Sequence, residues 1–401
     1  MWQRTTYLSV ILFFYLAFFS LNSNPYQLRA KDNEVTDYHI TDTQEISGEL
    51  NSIINIYDEF FSRELKEEGC PGAAVTIVNS GGVTWTGCYG VKEAGTNDSV
   101  DINTVFRTGS VSKGFASVLT GMLVQDNLLT WDDRVKSHIP GFSLKDSINT
   151  SDLTVRHIIG HTSGLPRHTF TNLLDQDVPY DDIVSLLADV PAISSPGEVY
   201  SYQNVVFSLI GDILRNITGK CYNSLIVEEI FEPLGMYDSS TDFYSLVNCS
   251  NLAQPHVKVN NVYITKKNSS RYYSVSPASG INISISDMSK WLLALLGNNP
   301  DVIKQEVLDE IFRPYIRTYI KYKYRKHWKE LGNLYYSLGW RIFEYRGEHI
   351  IYHGGYVNGY RAEIALYPKG ETGIAVLFNS SSKLANKCIP EFFDIYFEKT
   401  L

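Results

Sequence analysis

The chain is 401 residues long and holds only five cysteines: Cys70, Cys88, Cys221, Cys249 and Cys388. None stands in a Cys-x-x-Cys pair or at a metal-ligand spacing, which excludes a cysteine-built metal site as the organising element. Isolated buried thiols are the default reading, although Cys70 and Cys88 flank an expected hairpin and could pair in an oxidising compartment. His157-Ile158-Ile159-Gly160-His161 sets two histidines at i and i+4. Zinc proteases need a glutamate after the first, so Ile158 excludes that chemistry and leaves His161 to structure its loop. No Gly-x-Ser-x-Gly occurs, which removes the nucleophile elbow. Positive charge is also short: 35 Lys and Arg against 44 Asp and Glu give a formal net charge of −9. That balance argues against nucleic acid as a partner. Past residue 21 no stretch is long and apolar enough to span a bilayer, and no internal repeat is evident.

What remains is ordinary globular composition, 44% hydrophobic and 20% charged, in a chain too long for one simple core. Arg4 followed by the apolar run 7–21 reads as a secretory signal, with Ala30 the nearest small-residue cleavage point. A cleaved signal implies a periplasmic or secreted protein; an uncleaved segment (1–30) implies a membrane anchor. A polar linker is expected at 31–44, with Thr41 and Gln44 as a capping box for the helix carrying Ile46, Leu50, Ile53, Ile54, Tyr57, Phe60, Phe61 and Leu65. A hairpin follows at 73–78 and 83–89 around Gly81-Gly82. Helices are expected near 153–159, 205–214, 222–231 and from Asp287, then strands at 335–344, 349–353, 361–367 and 374–378, and a last helix at 384–397. Strands at both ends with helices between imply one sheet built from about 45–108 and 335–398. A helical part, about 109–300, is inserted between them, with the site in the cleft. Asn216 and Asn268 stand in Asn-x-Ser/Thr triplets of the kind that chance supplies. The run 313–329, where Arg and Lys alternate with aromatics, reads as a solvated amphipathic segment, with contact to an anionic envelope surface as the functional alternative.

The stretch Phe106-Arg107-Thr108-Gly109-Ser110-Val111-Ser112-Lys113 ends an apolar run and starts a helix whose apolar positions include Val111, Phe115, Val118, Leu119 and Met122. Ser110 falls at the helix N-terminus, where backbone dipoles favour negative charge. Lys113, three residues on, projects from the same face. A lysine can take the proton of a serine only when burial and nearby positive potential lower its pKa. Ser380-Ser381-Ser382-Lys383 repeats the spacing but is read as a helix N-cap cluster.

Two later motifs supply partners. Tyr202-Gln203-Asn204 leads into a helix: a tyrosine near two cations could have a lowered pKa and exchange protons with the serine, and an amide could bond both lysine and substrate carbonyl. Tyr200 is the reserve, and Tyr356-Val357-Asn358 matches the same pattern. His353-Gly354-Gly355-Tyr356 is expected to end one strand and turn towards the next. There the glycines, Gly355 included, admit a substrate close to the backbone. The Tyr356 N–H could join that of Ser110 in an oxyanion hole, and His353 could bind the leaving group.

With these motifs in this order the chain resembles the serine β-lactamase and penicillin-binding-protein superfamily, in particular its class C β-lactamase-like branch. The likeness spans residues 45–398. It also takes in His161-Thr162-Ser163-Gly164-Leu165-Pro166 and Pro233-Leu234-Gly235-Met236. It implies an α+β fold, an antiparallel sheet flanked by terminal helices with an inserted all-α domain, and acyl-enzyme chemistry without metal or organic cofactor. It implies Ser110 as nucleophile, Lys113 and Tyr202 as the proton-transfer pair, Asn204 as an orienting amide, and a small-molecule or peptide substrate: a β-lactam, a muropeptide or an ester. Carboxylesterase activity and a non-hydrolytic penicillin-binding module are the alternatives. One motif departs: His353-Gly354-Gly355 stands where β-lactamases carry the Lys-Thr-Gly that holds a substrate carboxylate.

Overall fold

The computed structural model describes residues 38–40, 48–319, 324 and 326–400. The expected signal or anchor, most of the linker, the capping box of Thr41 and Gln44, and Ile46 lie outside them. Thirteen strands are described: β1 Tyr38–Ile40, β2 Gly72–Asn79, β3 Gly82–Gly90, β4 Val105–Arg107, β5 His256–Val259, β6 Val262–Thr265, β7 Asn282–Ser284, β8 Ile316–Arg317, β9 Leu331–Tyr336, β10 Arg341–Tyr345, β11 Glu348–Val357, β12 Tyr360–Tyr367 and β13 Thr372–Phe378. Nine of them form one antiparallel sheet in the order β1-β3-β2-β13-β12-β11-β10-β9-β8. The sheet therefore draws on both ends of the chain, with β13 pairing β2 through Phe378↔Ala73 to Thr372↔Asn79. The intervening part is mainly helical and also carries two small pairs, β4–β7 and β5–β6.

Helices cover both faces, giving two apolar layers. On one face α1 (Gly48–Glu68) presents Ile53, Tyr57, Phe61 and Leu65 at helical spacing. It packs with α5 (Cys388–Thr400) over Val75, Ile77, Ile374 and Val376 of the sheet. On the other, α2 (Ser112–Gln125), α3 (Asn204–Thr218) and α4 (Ile285–Leu295) share a core with Val78, Ile342, Ile364 and Leu377. Helix α2 is buried nearly all round, as a central helix should be, and its Phe115 ring stacks on Trp291 at 4.0 Å.

Several expected elements shift. The expected strand 335–344 is two strands, because the chain reverses through Ser337-Leu338-Gly339-Trp340, where Gly339 has φ +80° and the Ser337 N–H bonds Trp340 O. β11 does not turn at its glycines; it runs on to Val357. The expected helix at 222–231 is α-helical only to Ile226 and widens into a π-turn over Val227–Phe231. All five cysteines are free thiols, so Cys70 and Cys88 do not pair. In the run 313–329 the described lysines are exposed, but Tyr324 and Trp328 are buried, Trp328 against Phe343, Tyr345 and Tyr352. Tyr324 and Trp328 are therefore core, while Tyr319 is exposed as expected of a solvated segment. No helix among the described residues is long and apolar enough to cross a membrane.

The second Ser-x-x-Lys stretch serves folding. Ser380 is buried and lies 3.0 Å from Cys70 Sγ, and Ser382 Oγ accepts from the Leu384 N–H at the start of a 3-10 turn. Glu68, at the end of α1, gathers this turn: it accepts from Ser382 Oγ (2.6 Å), from the Lys383 and Leu384 N–H groups (2.9 and 3.1 Å) and from Tyr263 OH (2.8 Å). Burial pushes its pKa up, but these bonds outweigh burial and leave it lowered. A depressed folded pKa gives stability that is present above the unfolded value of about 4.3 and is lost as pH falls through the folded one. Glu68→Gln should cost about 2 kcal/mol at neutral pH and converge with the parent in acid, measured by urea unfolding at both.

Candidate active site

Ser110 is set by a short piece of pairing. β4 lies against β7, and Thr108 continues the contact by donating its N–H to Ile281 O (3.1 Å), while Ser112 Oγ accepts from the Ile281 N–H (3.0 Å). A tight turn at Gly109–Val111 then opens into α2, so the nucleophile candidate stands at the head of that helix. Lys113, one turn on, is fully buried. Its Nζ donates to Asn204 Oδ1 (2.9 Å) and Ala278 O (3.0 Å) and lies 3.3 Å from Ser110 Oγ. Burial first, and the charge of Arg341 second, hold its pKa well below the ordinary lysine value. As a neutral amine it has two N–H groups for Asn204 and Ala278 and a lone pair left for the serine proton.

Tyr202 OH donates to Ser110 Oγ at 2.8 Å, which decides between the tyrosine candidates. Tyr200 instead takes a hydrogen bond from Arg341 Nη1 (3.0 Å), and Asn358 of the second Tyr-x-Asn bonds Lys267 O in a surface turn. The expectation of a lowered Tyr202 pKa is reversed. Burial raises it, and the opposing effects of Arg341 and the Ser110 bond are smaller. Tyr202 is therefore a neutral phenol, fitted to donate a proton rather than to take one.

β11 supplies the opposite wall. Its two-residue turn, Asn358-Gly359, has φ +49° and +98°, the type I′ geometry that makes Val357↔Tyr360 a hydrogen-bonded pair. Alternation along the ladder then turns the Gly354 and Tyr356 N–H groups away from β12. β10 reaches only to the pair Arg341↔Tyr352, so beyond it this edge of β11 is open towards Ser110. The approach is close. A Cβ on Gly355 would fall 1.8 Å from Thr108 O and 3.1 Å from Ser110 N, and one on Gly109, whose φ is +55°, would fall 2.9 Å from the Tyr356 backbone. The Ser110 and Tyr356 N–H groups thus lie side by side across two glycines.

Ser110, Lys113, Tyr202, Asn204, Gly355 and Tyr356 are brought together around one cleft of about 580 Å³. His353 is not. Fully buried, it lies with Nε2 3.3 Å from Tyr336 OH and does not line the cleft, so the expected reach to a leaving group is corrected. Successive residues of a strand face opposite ways, and here Tyr352 and Gly354 take the cleft side. Sequence reasoning missed Arg341. It is buried, and its guanidinium lies 5.4–5.9 Å from the rings of Tyr202, Tyr324 and Tyr336. Among the described residues no ion pair joins Arg341 to a carboxylate, and the groups that act on it most strongly are burial and the tyrosines around it. The available signal was an arginine inside Leu338-Gly339-Trp340-Arg341-Ile342-Phe343.

A sequence model of the family described as Beta-lactamase matches residues 57–390. The chain belongs to that family. Among its relatives, the unguisins hydrolase ungD of Aspergillus violaceofuscus (strain CBS 115571) is 28% identical over 369 residues, covering 83% of this chain and 63% of that protein. Protein flp of Staphylococcus aureus (strain NCTC 8325 / PS 47) is 23% identical over 338 residues, 83% of this chain and 64% of its own length. The chain thus spans less than two thirds of these curated relatives. The octameric penicillin-binding protein homologue from Pyrococcus abyssi shares the fold, with a TM-score of 0.73 at 22% identity over 86% of this chain and 77% of that one. In this Beta-lactamase family member, β11 and the turn carrying Ser110 meet with no room for a side chain at Gly355. Gly355→Ala should force β11 off the Ser110 turn and cost about 1–3 kcal/mol of stability, read by urea unfolding, with the far-ultraviolet circular dichroism unchanged.

Proposed function

We propose that the chain is a serine hydrolase of the class C β-lactamase-like branch, working through a Ser110 acyl-enzyme on β-lactam or D-amino-acid peptide bonds. The observation that carries this reading is the convergence of Tyr202 OH and Lys113 Nζ on one serine oxygen, at 2.8 and 3.3 Å. Lys113 takes the serine proton as Oγ attacks the carbonyl carbon. The oxyanion settles between the N–H groups of Ser110 and Tyr356. The bond to the leaving group breaks as Tyr202 passes it a proton, so the serine proton is in effect delivered there through the pair. Water then cleaves the acyl ester and Ser110 regains its hydrogen.

Arg341 supports a substrate with a carboxylate. A buried guanidinium without a counter-ion is costly, and a bound anion would remove that cost. It would do the work of the lysine absent from His353-Gly354-Gly355. The rim agrees: Arg167, Lys326 and Arg361 line the cleft against the single carboxylate of Glu363, in a chain of net charge −9. A cationic cleft in an acidic protein concentrates anions.

The test is intact-protein mass against time after adding a penicillin, with Ser110→Ala alongside. A Ser110-dependent adduct that clears as penicillin disappears supports a β-lactamase; a lasting adduct supports a penicillin-binding role. No adduct, with p-nitrophenyl butyrate cleaved, moves the assignment to a carboxylesterase. Neither reaction rejects the hydrolase. The rate of acylation should rise with pH along a limb centred well below the ordinary lysine range, because Lys113 must be neutral to act. Arg341→Gln should move that limb upward by removing a cation, and should weaken carboxylate-bearing substrates at least tenfold.

A further inference from the structure

We infer that His161 is a positioning residue for Tyr202, holding the tyrosine hydroxyl on Ser110 by binding the backbone on both sides of it; the inference rests on the hydrolase reading above. The Ser201 N–H donates to His161 O (2.7 Å) and the Gln203 N–H donates to His161 Nδ1 (3.2 Å). One residue thus takes the amide before Tyr202 and the amide after it. Its ring also packs on the Tyr202 ring at 4.2 Å. The rest of the loop completes the hold: Ser201 Oγ donates to Leu165 O (2.6 Å), the Gln203 side-chain amide to Pro166 O, and the His168 N–H to Tyr202 O (2.9 Å).

The need for such a clamp follows from where Tyr202 sits. It precedes α3, whose N-cap, Gln203, is extended with φ −135° and ψ 126°. No helical ladder fixes Tyr202, so its backbone groups must find partners elsewhere. A misplacement of about 1 Å at a reacting group is enough to lose two orders of magnitude in rate.

His161 is an expensive choice for a mere loop residue. Its φ is +56°, a left-handed conformation that asparagine and glycine adopt more readily. It is 1% exposed, and among the described residues Nε2 has no hydrogen-bond partner. With Nδ1 accepting, the ring proton falls on Nε2, among the rings of Tyr336 (4.9 Å) and Phe207 (5.3 Å). Burial first, with the charge of Arg341 in support, holds its pKa well below the ordinary value, which keeps Nδ1 an acceptor. A turn alone would not require any of this; an acceptor at the Nδ1 position does.

The test separates the turn from the acceptor. His161→Gly keeps the left-handed backbone and deletes the acceptor. His161→Asn keeps both, since Oδ1 occupies the place of Nδ1. Each is assayed on p-nitrophenyl butyrate, whose leaving group departs unprotonated, and on phenyl butyrate, whose leaving group gains from an acid, with thermal midpoints recorded. On phenyl butyrate His161→Gly should lose about 100-fold in kcat with little change in KM. On p-nitrophenyl butyrate it should lose markedly less, and His161→Asn should stay within about threefold of the parent on both. Equal losses on the two esters, no loss in His161→Gly, or an Asn variant as poor as the Gly variant would overturn the inference. A parent chain with neither Ser110-dependent ester cleavage nor a Ser110-dependent penicillin adduct removes the hydrolase reading, and this inference with it; a parent that takes only the penicillin is tested with the same variants by acylation rate, where His161→Gly should lose and His161→Asn should not.

Discussion

Burying the Lys113 amine would be costly if it stayed charged and unpaired, and the fold around Ser110 is arranged so that neither condition need hold. The side-chain oxygen of Asn204 comes from the first residue of α3, and the Ala278 carbonyl from the short helix Ser276–Ser279. The opposing cation, Arg341, comes from the sheet and meets tyrosine rings and a tyrosine hydroxyl instead of a carboxylate. A carboxylate beside either group would favour the ammonium form and remove the base. The tyrosines are suited to this place because they offer polar faces and a hydroxyl without a negative charge. Three of the elements packed on α2, namely α3, the short helix Ser276–Ser279 and the sheet, therefore each contribute one part of a single electrostatic condition, and the cleft has that condition only when all three are docked.

The parts of this site that were legible in the sequence are those encoded locally. Ser110 and Lys113 are three residues apart on one helix, so their meeting needs no tertiary knowledge. Tyr202 and Asn204 were legible as a pair because they straddle a helix start, although Tyr200 could not be separated from Tyr202 until the distances to Ser110 and Arg341 were known. The sheet at both ends of the chain followed from period-2 patterns, and α1 from its apolar spacing. The failures are equally physical. Alternation says that His353 and Gly354 face opposite ways but not which way the cleft lies. The turn at Ser337-Leu338-Gly339-Trp340 lacks the Asn-Gly or Asp-Gly signal, so β9 and β10 read as one strand. Arg341 then looked like a residue inside that strand, with nothing to mark it as buried. The direction of the Tyr202 shift failed because the cations beside it were visible in outline while the depth of its burial was not.

The same turn ties two things together that are usually separate. It rests on α2, with the Trp340 ring against Gly114 and the Ser117 hydroxyl bonded to Leu338 O, and it also starts β10 at the pair Tyr336↔Arg341. Neighbouring residues of a strand point to opposite faces, so adding or removing one residue in this turn would exchange Arg341 for Ile342 at the cleft while leaving the composition of β10 intact. Loop length here is thus an electrostatic variable. Among related chains, an odd change in this one connection would replace the buried guanidinium beside Tyr202 with an apolar side chain without a single substitution in the site itself.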